Sequence, residues 1–222
     1  SASAFAALSL AGSAVLELNK SENELSVLAR KGSGSAARSI FPGYVAIESV
    51  GDPSLAAYPV ATASHLPLKV AIVIASSGEK EISSREAMER CRAESPFYQA
   101  WVALAHRDCG EINEAIQRRD FPLLSRLTER NCLAMHAVGM GLLPPILYWN
   151  AATLSVMESV RSLRASGEGV FFTIDAGPNV VVFYERRSES GVRSALSQLN
   201  STVRWTEVGG EPVVKKAVVW PQ

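Results

Sequence analysis

Four short segments of the chain carry residue types suited to chemistry. Gly32-Ser33-Gly34-Ser35 runs into Arg38. Glycines let a backbone approach a ligand, and successive N–H groups at a helix start form an anion cradle. Two hydroxyls and a guanidinium could then face one phosphate or carboxylate; the same run also reads as a flexible glycine-serine connection. Asp175 follows an almost wholly apolar strand and precedes the Gly177-Pro178 turn. A carboxylate so placed is expected to be pulled toward the interior, where it needs a cation or hydrogen bonds to stay ionised. The alternative is an aspartate that stabilises its own turn. Ser83-Ser84-Arg85, with Met88 one turn later, offers hydroxyl and backbone donors and a guanidinium fork suited to phosphate. A plain N-cap, a solvated arginine and a packed methionine account for the same residues. His136, in Leu133-Ala134-Met135-His136-Ala137, is expected to be a hydrogen-bonded core histidine rather than a catalytic one, and Tyr148 and Trp149 read as packing. The chain has no Walker loop, HExxH, GxSxG or dinucleotide fingerprint.

The elements that must position these residues follow from pattern. Residues 2 to 18 read as a helix packed closely through alanine and serine. Ser21-Glu22-Asn23-Glu24 is a capping box that opens a helix over 25–30, ended by Gly32, and Ala36 looks like the start of another. Residues 44–47 and 68–74 are strand-like, the second apolar enough to be buried on both faces. From Ser83 the pattern is helical, with Asp120 capping a helix that starts near Phe121 and Pro144-Pro145 punctuating before the next. Gly167 and Gly169 end that helix. Strands at 170–174 and 180–184 flank the turn at 175–179, a helix follows near 191–199, and 202–208 and 216–220 look like closing strands. The Glu111–Arg119 charges alternate in sign, as on a solvated helix face. This predicts an α+β fold, helices on one face of a mainly antiparallel sheet, with a domain boundary near Lys80 separating 1–80 from 81–222.

Composition narrows the function classes. Lysine plus arginine and aspartate plus glutamate number 22 each, so no net field draws the 222-residue chain to nucleic acid or acidic lipid. The 47% apolar and 20% charged fractions are those of a globular protein. No apolar run approaches the ~18 residues of a membrane span. Cys91, Cys109 and Cys132, and His65, His106 and His136, lack metal-ligand spacing, so neither a disulfide framework nor a metal site built from protein ligands is expected, and a cytoplasmic setting fits.

Taken in order, the segments resemble the diphosphomevalonate decarboxylase family of the GHMP kinase superfamily. Ala29-Arg30-Lys31-Gly32-Ser33-Gly34-Ser35-Ala36-Ala37-Arg38-Ser39 is similar to that family's substrate loop, and Lys80-Glu81-Ile82-Ser83-Ser84-Arg85-Glu86-Ala87-Met88 to its second substrate segment. Met135-His136-Ala137 with Pro144-Pro145 is a third match. Phe172-Thr173-Ile174-Asp175-Ala176-Gly177-Pro178-Asn179 resembles the segment that carries the catalytic aspartate. The resemblance implies a two-domain GHMP-type fold and an ATP-dependent decarboxylation of mevalonate 5-diphosphate to isopentenyl diphosphate through phosphorylation of the C3 hydroxyl. It gives Asp175 the task of orienting that hydroxyl and taking its proton. Arg38 would hold the substrate carboxylate or Asp175 itself, Ser33, Gly34, Ser35, Ser84 and Arg85 would bind the diphosphate, and Met88 would contact the apolar part of the substrate. Mg2+ would arrive with ATP, and the family implies a homodimer.

Three departures stand out: Ala37 where the family often has cysteine, Pro42 where it often has glycine, and Val138 where a threonine is common. Ser1-Ala2-Ser3-Ala4 resembles the tail of the family's phosphate-loop segment, which would put Ser1 and Ala2 at the ATP phosphates. The glycines of that loop, the adenine pocket and an amino-terminal lysine and tyrosine are then expected upstream, in a longer protein. A decarboxylase acting on mevalonate 5-phosphate would share Asp175 and Arg38, and a non-catalytic relative that binds a ligand or partner is the other alternative.

Overall fold

The computed structural model describes residues 2–47, 52, 54–76, 78 and 82–214. The chain forms two compact units, Ser1–Leu66 with Gly209–Gln222, and Pro67–Val208.

The first unit contains α1 (Ala2–Val15), α2 (Glu22–Gly32), a 3-10 helix (Gly34–Ile40), β1 (Tyr44–Ala46) and β2 (Tyr58–Ala61). The capping box forms as the sequence predicts: Glu24 N donates to Ser21 Oγ, and Ser21 N donates to Glu24 Oε2 at 2.9 Å. Helix α1 is shorter than expected, because Glu17 and Asn19 adopt left-handed backbone that turns the chain away. Only one stripe of it is buried (Ala6, Ser9 and Ser13), while Leu8, Val15 and Leu16 are exposed. The helix expected from Ala36 is a 3-10 helix that begins at Gly34. Strand β2 pairs antiparallel with β1, and Pro59 within it hides the strand signal in the sequence. Small side chains (Ala6, Ala29, Ala36 and Ala37) bring α1, α2 and the 3-10 helix together over Ile40 and Leu25.

The second unit contains β3 (Lys69–Ile74), α3 (Ser84–Glu94), α4 (Tyr98–Arg118), α5 (Phe121–Met140), α6 (Ala151–Ala165), β4 (Val170–Ile174), β5 (Val180–Tyr184), α7 (Glu189–Ser197) and β6 (Thr202–Glu207). Its strands form one antiparallel sheet in the order β4-β5-β3-β6. Because β3 is an interior strand of this sheet, the chain parts at 66/67 and not at the expected 80/81; Lys80 itself lies outside the described residues, as does the strand expected at 216–220.

Alternate sheet residues Phe172 and Ile174, Val180 and Val182, and Ala71 and Val73 meet Val156 and Val160 of α6 and Val192 and Leu196 of α7, all essentially buried. Burying one such side chain is worth roughly 1.5–3 kcal/mol, whereas helix propensities differ by tenths, so this valine-rich face decides the layer arrangement. The opposite face is only half covered: Val70 is buried but Ile72 and Ile74 are intermediate, so β3 is not enclosed on both sides as its composition suggests. Part of the cover is an aromatic stack of Phe171 on Phe183, 5.2 Å apart, met by Phe121 from the first turn of α5. Asp120 caps that turn by accepting from Leu123 N at 2.9 Å, as expected.

Candidate active site

The first unit supplies one set of the expected residues. Ser26, fully buried on α2, donates from Oγ to Ala37 O at 3.0 Å and accepts from Ala57 N at 2.9 Å, which pins the Gly34–Ile40 segment. Above this anchor the Ser33 and Ser35 hydroxyls pair at 3.2 Å, and the space over Gly34 is open. In a 3-10 helix residues three apart eclipse, so Ser35 and Arg38 share an exposed edge while Ala37 and Ile40 share the buried one. The Arg38 side chain makes no hydrogen bond or ion pair among the described residues, while its carbonyl accepts from Phe41 N at 3.3 Å. Arg30 of the same segment is committed, donating to Asp52 O at 3.1 Å and Leu55 O at 2.9 Å. Ala2 packs against the alanine cluster under the loop, and Ser1 lies outside the described residues.

The second unit supplies the other set. Ser83 caps α3, accepting from Glu86 N at 3.2 Å, which leaves Ser84 and Arg85 exposed in the first turn, where the helix dipole favours an anion. Ser84 and Met88, one turn apart, line a cavity of about 30 Å³, room for about one water, together with His136, Tyr148 and Ala176. Ala176 belongs to the Asp175 turn, so the Ser84–Met88 face of α3 and that turn border the same small space. Lys80 and Glu81, expected to belong to the same segment, lie outside the described residues.

The turn at 175–179 is braced at its far end. Asn179 Oδ1 accepts from Ala75 N at 2.9 Å and Ser76 N at 3.3 Å, Thr153 Oγ1 donates to Pro178 O at 2.7 Å, and Asn150 Nδ2 donates to Ala75 O at 3.2 Å. Thus the N-cap and third residue of α6 tie the β4–β5 turn to the end of β3. Asp175 itself corrects the sequence expectation. Strand β4 ends on the buried Ile174, and the carboxylate one residue later is exposed rather than drawn into the interior. It has no hydrogen bond or ion pair among the described residues, so neither burial nor a role in its own turn accounts for it.

His136 is a core histidine, as its apolar helix predicts. Its ring lies 4.8 Å from Trp149 and 6.1 Å from Tyr148, and Nε2 is 3.2 Å from Ile174 O. Burial pushes its pKa down, against smaller opposing effects of the Ile174 carbonyl and the Asp175 charge. Cys132 is held as a thiol, its pKa pushed up to about 11 by burial. Sequence reading missed Asn179, Thr153 and Asn150; the Asn150-x-x-Thr153 spacing at the start of α6 was the available signal, and it says nothing about the partner strand.

Two family models match the chain: the diphosphomevalonate decarboxylase-like N-terminal domain over residues 1–56 and the mevalonate 5-diphosphate decarboxylase C-terminal domain over 70–217. The diphosphomevalonate decarboxylase of Debaryomyces hansenii is 35% identical over 211 residues, covering 91% of this chain and 54% of its own length. The mevalonate diphosphate decarboxylase of Staphylococcus aureus superposes with a TM-score of 0.86 at 32% identity, covering 94% of this chain and 64% of that one. A structure of the protein designated MDDEF in complex with MVAPP, AMPPCP and magnesium gives 0.85 at 36% identity, over 93% and 65%. The chain therefore spans about half the length of the curated relatives it matches. Its α+β fold is the GHMP kinase fold of these solved decarboxylases. With one family model covering most of its residues and the four motifs in family order, the chain belongs to the mevalonate 5-diphosphate decarboxylase family.

Proposed function

We propose that the chain acts as part of an ATP-dependent decarboxylase that converts mevalonate 5-diphosphate to isopentenyl diphosphate. The observation that carries this reading is the exposed carboxylate of Asp175, without a partner among the described residues, on a braced turn beside the Ser84–Met88 face of α3, in a chain of this family. In this reading the C3 hydroxyl, a very weak acid, is oriented by Asp175, which accepts its proton as the γ-phosphoryl group of ATP is transferred. The C3–O bond then breaks with loss of phosphate while the C1 carboxylate leaves as carbon dioxide, and the electron pair of the broken C–C bond becomes the double bond. Arg38, whose side chain has no partner among the described residues, binds the substrate carboxylate. It is not needed to offset burial of Asp175, because Asp175 is not buried.

Ser33, Gly34, Ser35, Ser84 and Arg85 bind the diphosphate, whose charges call for charge-assisted donors, and Met88, 38% exposed, offers the apolar contact. Ser1 and Ala2 would contact the ATP phosphates, as the phosphate-loop resemblance implies. Mg2+ would arrive with ATP and would supply neutralisation of the phosphate charge. MDDEF has been solved with AMPPCP and magnesium, which supports this cofactor assignment. The three free cysteines fit a reducing, cytoplasmic setting, and no helix among the described residues is long and apolar enough to cross a membrane. Family membership supports a homodimer.

The test is turnover of the complete protein with ATP and either mevalonate 5-diphosphate or mevalonate 5-phosphate. Carbon dioxide release from the diphosphate is expected; release from the monophosphate alone would reassign the substrate. Asp175→Asn is expected to abolish release while leaving substrate binding within a few-fold, about 1 kcal/mol. Arg38→Ala is expected to lose far more rate than Arg85→Ala, and equal losses would make Arg38 one more phosphate contact.

A further inference from the structure

Among the described residues strand β4 is an edge of the sheet, so alternate residues turn their N–H and C=O groups away from β5 with no described strand to receive them. Helix α5 receives them with side chains instead. Phe172 N donates to Glu129 Oε1 at 3.1 Å, Ile174 N donates to Cys132 Sγ at 3.1 Å, and Ile174 O lies 3.5 Å from Cys132 Sγ and 3.2 Å from His136 Nε2. Glu129, Cys132 and His136 are spaced three and four apart, on one face of α5. A carbonyl has no proton to give, so Nε2 of the neutral His136 ring carries it and donates. The ring is held by the Trp149 and Tyr148 contacts, so the donor has little freedom to follow a moving strand.

The Ile174 carbonyl is half of the planar peptide whose other half is the Asp175 amide. Asp175 has no side-chain partner among the described residues, so its direction is inherited from that peptide on one side and from the Asn179–Thr153 brace on the other. We propose that His136, aided by Cys132, is a positioning residue that sets the orientation of the Asp175 carboxylate by clamping the Ile174–Asp175 peptide from the helix side. The proposal deepens, and rests on, the reading that Asp175 works on the C3 hydroxyl. A carboxylate oxygen stands about 3.5 Å from its Cα, so a peptide tilt of about 15° displaces it by roughly 1 Å, a misplacement that costs up to about a hundredfold in rate. The clamp bears on the reacting geometry through the Ile174–Asp175 peptide, so its loss falls on kcat more than on KM.

The experiment compares His136→Leu and His136→Gln with the wild type in the complete protein. Gln places its Nε2 the same number of bonds from Cβ as the histidine does and keeps the donor; Leu fills the space without one. His136→Leu is expected to lower kcat between about tenfold and a hundredfold with both KM values within about twofold, and His136→Gln to recover kcat to within about threefold of wild type. Unchanged kcat in His136→Leu, or an equal loss in both variants, overturns the proposal. Asp175→Asn measured alongside separates the two readings: full turnover there overturns the role of Asp175 and this proposal with it, whereas an inactive Asp175→Asn beside an unimpaired His136→Leu overturns only the role of His136. If His136→Leu does not fold, the ¹⁵N shifts of the wild-type ring decide. The Nε2-protonated neutral tautomer is expected, and an Nδ1-protonated ring overturns the clamp.

Discussion

Replacing Glu129 tests how much of the second unit depends on a helix standing in for a strand. Both Glu129 oxygens engage the Arg164 guanidinium, at 2.6 and 3.0 Å, and Oε1 also takes the Phe172 amide. The side chain is 13% exposed and Arg164 35%. Glu129→Ala strands the Phe172 N–H on a residue 1% exposed, and an unsatisfied buried donor costs about 1–3 kcal/mol. Arg164, a third exposed, can swing its charge toward water, so its loss adds roughly 0–1 kcal/mol. The two ranges sum to about 1–4 kcal/mol, with a middle value of about 2–3 kcal/mol. Glu129→Gln keeps a carbonyl for the amide and gives up only the charge assistance and one guanidinium bond, about 1 kcal/mol. At roughly 2–4 °C per kcal/mol for a domain of this size, Ala should lower Tm by about 5–10 °C and Gln by about 2–4 °C. Thermal melts followed by circular dichroism measure both, and hydrogen exchange at the Phe172 amide, protected in the wild type and in Gln but not in Ala, identifies the cause. Equal losses in the two variants would mean that the ion pair and not the backbone bond matters, and a loss below about 0.5 kcal/mol in Ala would refute the reasoning.

Two further outcomes are expected. The pKa of His136 is lowered by burial from its ordinary 6.5, so below that pH the unfolded chain takes up a proton that the folded ring resists. Its contribution to stability is therefore full above about pH 6.5 and is lost as the pH falls toward the folded value; urea unfolding across this range should show the decline, and a His136→Gln profile of the same slope would contradict it. Arg119 ends α4 in left-handed backbone with φ of 56° and an exposed side chain. Arg119→Gly should stabilise by about 1 kcal/mol, and a melting temperature unchanged or lower than wild type would count against strain there.

Much of the fold was legible in the sequence because strong local signals and tertiary needs agree. The Ser21 box, the Asp120 cap and the two apolar strands around 175–179 all sit where periodicity and capping chemistry put them. What was not legible depends on partners distant in the chain. The membership of β3 in the second unit is set by pairing with β5 and β6, more than a hundred residues later. The left-handed residues that shorten α1, Glu17 and Asn19, carry no glycine to announce them. At the site, family resemblance supplied the residues, but the exposure of Asp175 could not be read from an apolar lead-in: alternation ends with the strand, and the next side chain follows the turn. The brace around that turn was equally hidden, since Asn179, Asn150 and Thr153 are common turn and cap residues whose long-range partners leave no trace in spacing.

The side-chain cover that α5 lays along β4 also governs what the sheet can do to other chains. An uncovered edge strand as apolar as Val170–Ile174, with free amides at 172 and 174, would be a template for adding a foreign strand and so for aggregation. Glu129, Cys132 and His136 occupy those hydrogen-bonding positions, while β6 at the opposite margin carries Arg204 and Glu207, charges that discourage pairing. Substitutions that uncover this margin would thus give the chain a pairing edge and favour self-association.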